Sequence, residues 1–394
     1  MNISNAIVVG GGIGGLAAAT ALARKRVAVT LIERAPAFEE IGAGLQISPN
    51  GLAVLRTLGL EHRLKAKGAV AARAVVLRDH AQGAQVARLD LRRLRPDQHY
   101  YFMHRADLVD VLAEAAKREN VTIELGAQVA SIRPGAVPQV QLADGGTRRA
   151  ELVVAADGIH SVARPVLNGP DNARFSGQVA WRAVVPNTFD HPPEAHVHMG
   201  PGCHLVSYPL RGGALVNLVG VSERAEWAEE GWHHADDPEH MRGAFEGFGG
   251  VAGDMIAAVR NVTLWGLHLH PVAGTWVQDG VALMGDAAHP TLPFLAQGAN
   301  LALEDAWCLA ALAAEGEGDW LTAYQARRLP RARRVIAAAA RNAWRYHLRP
   351  GPARAVAHLG LRTLSRLAPG RLVGAYDWLY GHDVTRDKAH KAGR

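Results

Sequence analysis

An α/β fold is predicted for this chain: a Rossmann-like nucleotide-binding domain, an inserted antiparallel β-sheet lobe and a C-terminal helical segment. Three observations predict it. Residues 6–33 read as strand, glycine turn, helix, strand and acidic residue. The apolar runs ending at Gly10, Asp157 and Asp286 each empty into a polar loop. In a parallel sheet ligands gather beyond the carboxyl ends of the strands, so these three loops are expected at one edge. Between Arg174 and Leu269 the texture changes to short strand-like runs with tryptophans (VAWRAVV, HLVSYPL, ALVNLVGV, VTLWGLHLH) around one helical excursion near 236–248. With no internal repeat and no low-complexity linker, that lobe is read as inserted into the nucleotide domain. The expected division is 1–72, 97–172 and 270–315 for the nucleotide domain, 73–96 and 173–269 for the β lobe, and 316–394 for the helical segment.

In AIVVGGGIGGLAAATALARKRVAVTLIE, residues 6–33, Gly10-x-Gly12-x-x-Gly15 supplies a tight turn, close backbone approach to a pyrophosphate, and close helix-strand packing. Glu33, 21 residues after Gly12, is placed for a ribose hydroxyl. An acid there argues for an unphosphorylated ribose, which suits FAD or NAD better than NADP. In GAGLQISPNGLAVLRTLGL, Gly42-Ala43-Gly44 exposes backbone, Ser48 can cap a helix with Pro49 at its first position, and Gly59 closes it. Residues 73–96 alternate as strands, and a helix opened by Arg105 and Asp107 follows. Arg105 can hold a pyrophosphate or pair with Asp107. In AELVVAADGIHSVAR, residues 150–164, the strand ends at Asp157-Gly158, with Ser161 and Arg164 beyond it.

The stretch Val281–Asp305, VALMGDAAHPTLPFLAQGANLALED, gathers a cofactor site into one strand-loop-helix unit. Its strand stops at Gly285-Asp286, and a loop with Pro290 and Pro293 leads through Gln297-Gly298-Ala299-Asn300 into an apolar helical run from Leu301 to Ala314. The free N–H groups at that helix start carry roughly half a positive charge, which favours a phosphate or the electron-rich pyrimidine edge of a reduced flavin.

With 394 residues, 48% of them hydrophobic and 20% charged, the chain is long enough for two domains or one large one with an inserted lobe. No signal-peptide pattern and no membrane-length apolar run is present, so a cytoplasmic location is expected. Cys203 and Cys308 form neither a metal-ligand spacing nor a disulfide framework, and no metal is expected. The net charge of +6 is uneven: residues 320–376 hold twelve arginines and no acid, whereas residues 1–319 hold 27 basic against 34 acidic residues, a net of −7. A basic pI therefore does not argue for nucleic acid. Arg327, Arg331, Arg334, Arg341 and Arg345 are expected on one helical face opposite Leu329, Ile336 and Ala340, with a kink at Pro330. The opposite charge of the body predicts that this helix docks within the protein or at a homodimer contact, without stable membrane insertion.

GGGIGG with Glu33, ADGIHSVAR and MGDAAHPTLPFLAQGANLALEDA, met in that order, together resemble the single-component FAD-dependent aromatic hydroxylases that share the para-hydroxybenzoate hydroxylase fold. GAGLQISPN, the VAWR after Gln178, HLVSYPL and Gln297-Gly298 are most similar to the salicylate hydroxylase, 3-hydroxybenzoate 6-hydroxylase and 6-hydroxynicotinate 3-monooxygenase branch. The resemblance implies that Gly10, Gly12, Gly15 and Glu33 hold the ADP half of FAD, that Arg105 reaches the cofactor, and that Asp286 binds its ribityl or pyrophosphate region. Gly298, Ala299 and Asn300 would present N–H groups to the pyrimidine, and Asp157 would serve both FAD and the nicotinamide cofactor. Arg34, Gly44, Gln46, Gly285 and Pro293 complete the expected cofactor set. The implied activity is hydroxylation of a small hydroxylated aromatic acid, salicylate- or 3-hydroxybenzoate-like, with NADH or NADPH as transient co-substrate and O2, through a flavin C4a-hydroperoxide.

In His204-Leu-Val-Ser-Tyr208, positions four apart share one face of a strand while Leu205 and Ser207 face away. A ring attacked by electrophilic oxygen reacts faster as phenolate, so a base is needed, and histidine is the usual one. By spacing alone His204 and Tyr208 are better read as an ordinary strand histidine and a core aromatic. The resemblance implies that both, with Gln297, line the substrate ring and that His204 assists removal of the phenolic proton. Trp181, Val206 and Leu218 are the expected walls of a dry pocket. Two other readings share these motifs: a ring hydroxylase acting on a quinone precursor at the membrane, and a non-enzymatic flavoprotein sensor. The expected partner is a small aromatic substrate, not nucleic acid, and the expected assembly a monomer or homodimer.

Overall fold

The computed structural model describes residues 3–38, 43–226, 228, 230, 234–316 and 318–387. Gly42 lies outside them. The fold is α/β. Its first layer is a six-stranded sheet in which Val281–Leu283, Leu152–Ala155, Asn5–Val9, Ala28–Glu33 and Thr122–Leu125 are successive parallel neighbours, with Val277–Gln278 antiparallel at one edge. The strands leading to Gly10, Asp157 and Asp286 are thus three adjacent strands running the same way, and their loops do meet at one edge. These strands are near-continuous Val, Ile, Leu and Ala because both faces are covered. Helix Ile13–Arg24 packs on helix Gly298–Glu315, and Gly14 permits the approach: a Cβ there would stand 3.2 Å from that of Ala302.

The second layer is an eight-stranded sheet in the order His234–Asp236, Val262–Leu269, Arg174–Pro186, Leu215–Glu223, Cys203–Leu210, Glu194–Gly200, Ala74–Asp79, Gln85–Asp90. It is not wholly antiparallel as expected, because Glu194–Gly200 lies parallel to Ala74–Asp79. That hairpin arrives from far upstream, and only such a long connection can deliver a parallel neighbour. The expected single helical excursion is two short helices, Pro238–Ala244 and Gly250–Ala257. The chain breaks between them at Gly249, where a Cβ would fall 2.2 Å from the Ala81 carbonyl oxygen.

Strand parity sorts this sheet into two faces. Trp181, Ala183, Leu205 and Leu218 pack with Met241, Phe245 and Phe248 of the short-helix side. Arg182, Val206, Val219 and Val221 turn the other way, toward a cavity.

Helix Trp320–Tyr346 runs on through Pro330, and Pro352–Leu367, Pro369–Gly374 and Asp377–Tyr380 follow it. Its buried face is Tyr324, Arg328, Ala332, Val335 and Ala339, not the expected one: Ala340 is exposed, and Leu329 and Ile336 are half-buried. The reason is charge. Glu304 and Asp305 are fully buried on helix Gly298–Glu315, and they draw Arg328 inward, with Arg331 beside it. Arg334 stacks over Trp378 at 4.2 Å. The basic segment therefore docks within the protein. Among the described residues no helix is long and apolar enough to cross a membrane.

Candidate active site

A cavity of about 660 Å³ extends from the glycine turn of the first sheet to the face of the second. At its nucleotide end the three fingerprint glycines do different things. Gly10 has φ +102°, and a Cβ on it would lie 2.4 Å from the Ala156 carbonyl oxygen; a Cβ on Gly15 would lie 1.9 Å from that of Gly10. Both are needed for the turn and its packing. Gly12 has nothing within 4 Å, so its backbone is open to a ligand. Glu33 accepts hydrogen bonds from the Gly11 N–H at 2.5 Å and the Ala35 N–H at 2.8 Å. A carboxylate has about four acceptor sites, so these two leave room for a ribose hydroxyl. Arg34 lines the same end.

Midway, Asp157, Arg105 and Asp286 converge on the cavity wall. Asp157 Oδ2 accepts from the Val162 N–H at 2.8 Å, while its buried Oδ1 has no hydrogen-bond partner among the described residues. Burial raises the carboxyls of both Asp157 and Asp286; at Asp286, His289 and Arg105 oppose the rise. Arg105 does not pair with Asp107, which instead accepts two bonds from Arg211 at 3.1 and 3.0 Å. The Ser161 hydroxyl accepts from the Arg164 N–H, and the Arg164 guanidinium donates to the carbonyls of Ala287 and Ala288 at 3.1 and 3.3 Å. That arginine therefore ties the Asp157 loop to the Gly285 turn. The turn is also held from below, because Asp305 accepts from the Gly285 N–H at 3.0 Å, from His289 at 2.5 Å and from Arg328 at 2.7 Å.

The helix start at Gly298 and Ala299 faces the cavity with first-turn N–H groups that no helix satisfies internally. Asn300 is expected to offer its backbone N–H and Gln297 its side chain, and both side chains are engaged within the protein. Asn300 Oδ1 accepts from the Ser48 N–H at 3.0 Å and its amide donates to the Gln46 and Ala296 carbonyls, which fastens strand Gly44–Ile47 to the helix; Asn300 is not on the cavity wall. Gln297 is on the wall, but its carboxamide donates to the Ser48 hydroxyl and accepts from Asn50, both at 3.0 Å. It is committed to that network, and as placed it orients the loop and does not reach for a ring. Ser48 likewise makes no capping bond, since its hydroxyl donates to Asn50 at 2.6 Å.

The far end is built by the eight-stranded sheet. His204, Val206 and Tyr208 line it from one strand, as alternation requires, and Pro293 and Phe294 close it from the loop. Gly44 lets this happen: a Cβ there would be 2.7 Å from the Tyr208 ring. Gln46 lines the cavity and accepts from the Tyr100 hydroxyl at 2.7 Å. Burial pushes the Tyr208 hydroxyl upward. Burial, and then the neighbouring His347, hold His204 well below the ordinary histidine value, so it is neutral. Trp181 and Leu218 are not walls, because their parity turns them to the opposite face; Arg182, Val219 and Trp265 take that place. Sequence reasoning also missed Tyr346, Tyr376 and Tyr380 from the C-terminal helices, which line the cavity too.

The open Gly12 backbone, the orphaned Asp157 oxygen and the helix start at Gly298 fit an elongated anionic dinucleotide, with the far end left for a small ring. The FAD binding domain family matches residues 4–339. The chain is 36% identical over 388 residues to 3-amino-4-hydroxybenzoate 2-monooxygenase PtnB3 of Streptomyces platensis, covering 96% of each. It is 34% identical over 394 residues to 3-hydroxybenzoate 6-hydroxylase of Polaromonas naphthalenivorans (strain CJ2), again 96% of each. Among solved structures, HpxO of Klebsiella pneumoniae complexed with FAD and uric acid superposes with a TM-score of 0.80 at 25% identity, over 94% of this chain and 95% of that one. Both the chemistry of the cavity and these relatives lead to one conclusion: the chain belongs to the FAD-dependent aromatic hydroxylases.

Proposed function

We propose that the protein hydroxylates a small phenolic acid of the hydroxybenzoate type, using NAD(P)H and O2. One observation carries this reading: a buried neutral histidine and a tyrosine share a strand face at the end of a cavity walled by Val206, Val219 and Phe294, whose other end is a dinucleotide cleft. FAD, when bound, supplies reduction by NAD(P)H and activation of oxygen. The chain's own residues do the rest. Val206, Val219, Phe294 and Leu267 exclude water around the ring. Arg182, stacked on Trp265 at 4.1 Å, puts a positive charge on the same wall for a ring carboxylate. His204 takes the phenolic proton and leaves the ring electron-rich.

The test is a panel of salicylate, 3-hydroxybenzoate and 3-amino-4-hydroxybenzoate, scored by the ratio of hydroxylated product to hydrogen peroxide. Oxygen- and NAD(P)H-dependent product from one of them supports the reading. NAD(P)H oxidation that yields only peroxide with all three counts against it.

The purified protein is expected to carry one non-covalent FAD per chain, and Asp286→Ala to lose it, as read from the flavin absorbance of the protein peak after gel filtration. A wild-type protein that stays colourless after incubation with FAD would defeat the assignment. NADH is expected to be preferred, since one fingerprint with an acid at Glu33 leaves no second nucleotide fold with a basic 2′-phosphate pocket. Equal or higher kcat/KM with NADPH refutes that preference.

A further inference from the structure

One chain of side chains leads from the dry end of the cavity to the surface. His204 Nδ1 lies 2.7 Å from His347 Nε2, and His347 Nδ1 lies 3.2 Å from Glu223 Oε1. Both histidines are buried, and only Glu223, whose side chain is 46% exposed, reaches solvent. Three separate elements are locked together to make it. His204 is on strand Cys203–Leu210, Glu223 ends the neighbouring strand Leu215–Glu223, and His347 follows helix Trp320–Tyr346. The His347 carbonyl also accepts from the Gly202 N–H at 3.2 Å, and the Gly202 carbonyl accepts from the Glu223 N–H at 2.9 Å.

The direction of each bond follows from what each group can do. A carboxylate only accepts, so His347 Nδ1 carries the proton. A neutral imidazole has one donor and one acceptor nitrogen, so His347 Nε2 accepts and His204 Nδ1 must donate to it. That leaves His204 Nε2 as a bare lone pair. It has no hydrogen-bond partner among the described residues, and His204 lines the cavity. Burial lowers both histidines, which favours the neutral forms this logic needs, although Glu223 pulls His347 back up. Among the described residues, the other charged or titratable groups around the chain are Arg349, 4.0 Å from Glu223, Tyr346, whose ring is 5.2 Å from that of His204, and the Cys203 thiol, which burial raises to about 11. None of them interrupts it.

We propose that His347 and Glu223 are positioning residues for the hydroxylation, which fix the accepting tautomer of His204 and conduct the phenolic proton to solvent. The phenol O–H bond breaks with its electron pair left on oxygen, and the proton bonds to His204 Nε2. The Nδ1 proton of His204 passes to His347 Nε2, the Nδ1 proton of His347 passes to Glu223, and Glu223 releases it to water. The product is again a phenol, so the chain run backwards returns one proton to its oxygen and restores both tautomers. This inference rests on His204 being the base.

The experiment uses the full FAD-loaded protein with 3-amino-4-hydroxybenzoate, or the panel acid that is turned over in its place. Formation of bound phenolate is followed by ultraviolet absorbance after a pH jump without NAD(P)H, and the pH profile of kcat is measured separately. Glu223→Gln lies at the surface and is the main variant; His347→Gln is the second and Glu223→Asp the conservative rescue. Glu223→Gln should keep FAD and KM, slow phenolate formation about tenfold or more, and shift the ascending limb of the kcat profile to higher pH, because an amide takes up no proton and its NH2 can donate to His347 Nδ1 and reverse the tautomer. Glu223→Asp should restore much of the rate. Unchanged pH-jump rates and profiles in Glu223→Gln, with FAD and KM intact, overturn the relay even if His347→Gln fails to fold. A wild type that hydroxylates none of the panel defeats the proposed function instead, while a wild type that hydroxylates with indifferent Glu223 variants defeats the relay alone.

Discussion

His204→Ala is expected to retain FAD and to keep consuming NADH while hydroxylating about 10²- to 10⁴-fold more slowly, the loss typical when a positioned base is removed. The missing oxygen should appear as hydrogen peroxide. Two features of the structure set the size of the effect. His204 stands at the apolar end of the cavity, where no other base on the same strand face can take its place: Val206 is inert, and burial pushes the Tyr208 hydroxyl upward. The defect should shrink as pH rises, since a phenol that ionises unaided needs no base. Comparing product and peroxide yields across the pH range decides the matter. An alanine variant with unchanged hydroxylation rate and coupling at every pH removes His204 from the mechanism.

Arg328→Met should cost about 3–5 kcal/mol of stability, the usual result of removing one partner of a buried ion pair. Arg328 is 1% exposed and donates to Glu304 at 2.6 Å and to Asp305 at 2.7 Å, so its loss strands negative charge in the core. Burial works to raise Glu304, but Arg328 and Arg331 outweigh it and hold that carboxyl at about 2; burial likewise opposes His289 and Arg328 at Asp305, which is also held at about 2. The sign follows: both carboxyls are depressed on folding, so their contribution is complete above their unfolded values of 4.5 and 3.8 and is lost as pH falls toward 2. Wild type should therefore lose stability across that acid window, and Arg328→Met, whose two carboxyls are no longer held down by that arginine, should depend on pH less steeply there. Urea unfolding between pH 7 and 3 measures both. Equal midpoints for the two proteins at pH 7 would falsify the account. Because Asp305 also holds the Gly285 N–H and Glu304 holds Asn50 at 2.7 Å, the variant should weaken FAD binding as well.

The nucleotide end of the site was legible because its signals are local. Gly10, Gly12 and Gly15 act through backbone geometry within one turn, and the strands before Gly10, Asp157 and Asp286 declare themselves by unbroken apolar runs. Reading the wall of the β lobe required parity, and here Trp181 misled, since a large aromatic in a strand suits either face of a sheet. The true phase was present in the register: Val206 pairs with Val219, and Arg182 pairs with Val219 on the other side. Long-range electrostatics were the least legible. Glu304-Asp305 interrupt an otherwise apolar helix, and acids in such a place require buried cations. Nothing local singled out Arg328 among twelve arginines, and a purely amphipathic phasing put Leu329, Ile336 and Ala340 inward in its place. Of the two roles open to Arg105, the Asp107 pair is excluded only by a residue far away in sequence, Arg211, and the side chain of Gln297 is likewise held by the distant Ser48 and Asn50.

Tyr346, His347, Tyr376 and Tyr380 reach the ring end of the cavity or its hydrogen-bonded chain from the C-terminal helices, and Arg328 and Arg331 from the same region neutralise the acids beneath the Gly285 turn. On the ribosome, therefore, the glycine fingerprint emerges first while the chamber for the ring stays unfinished until roughly the last tenth of the chain has been made. A proteolytically shortened chain that lacks these helices is expected to leave the ring end of the cavity open and to strand Glu304 and Asp305 without their cations, so the C-terminal helices finish both ends of the site at once.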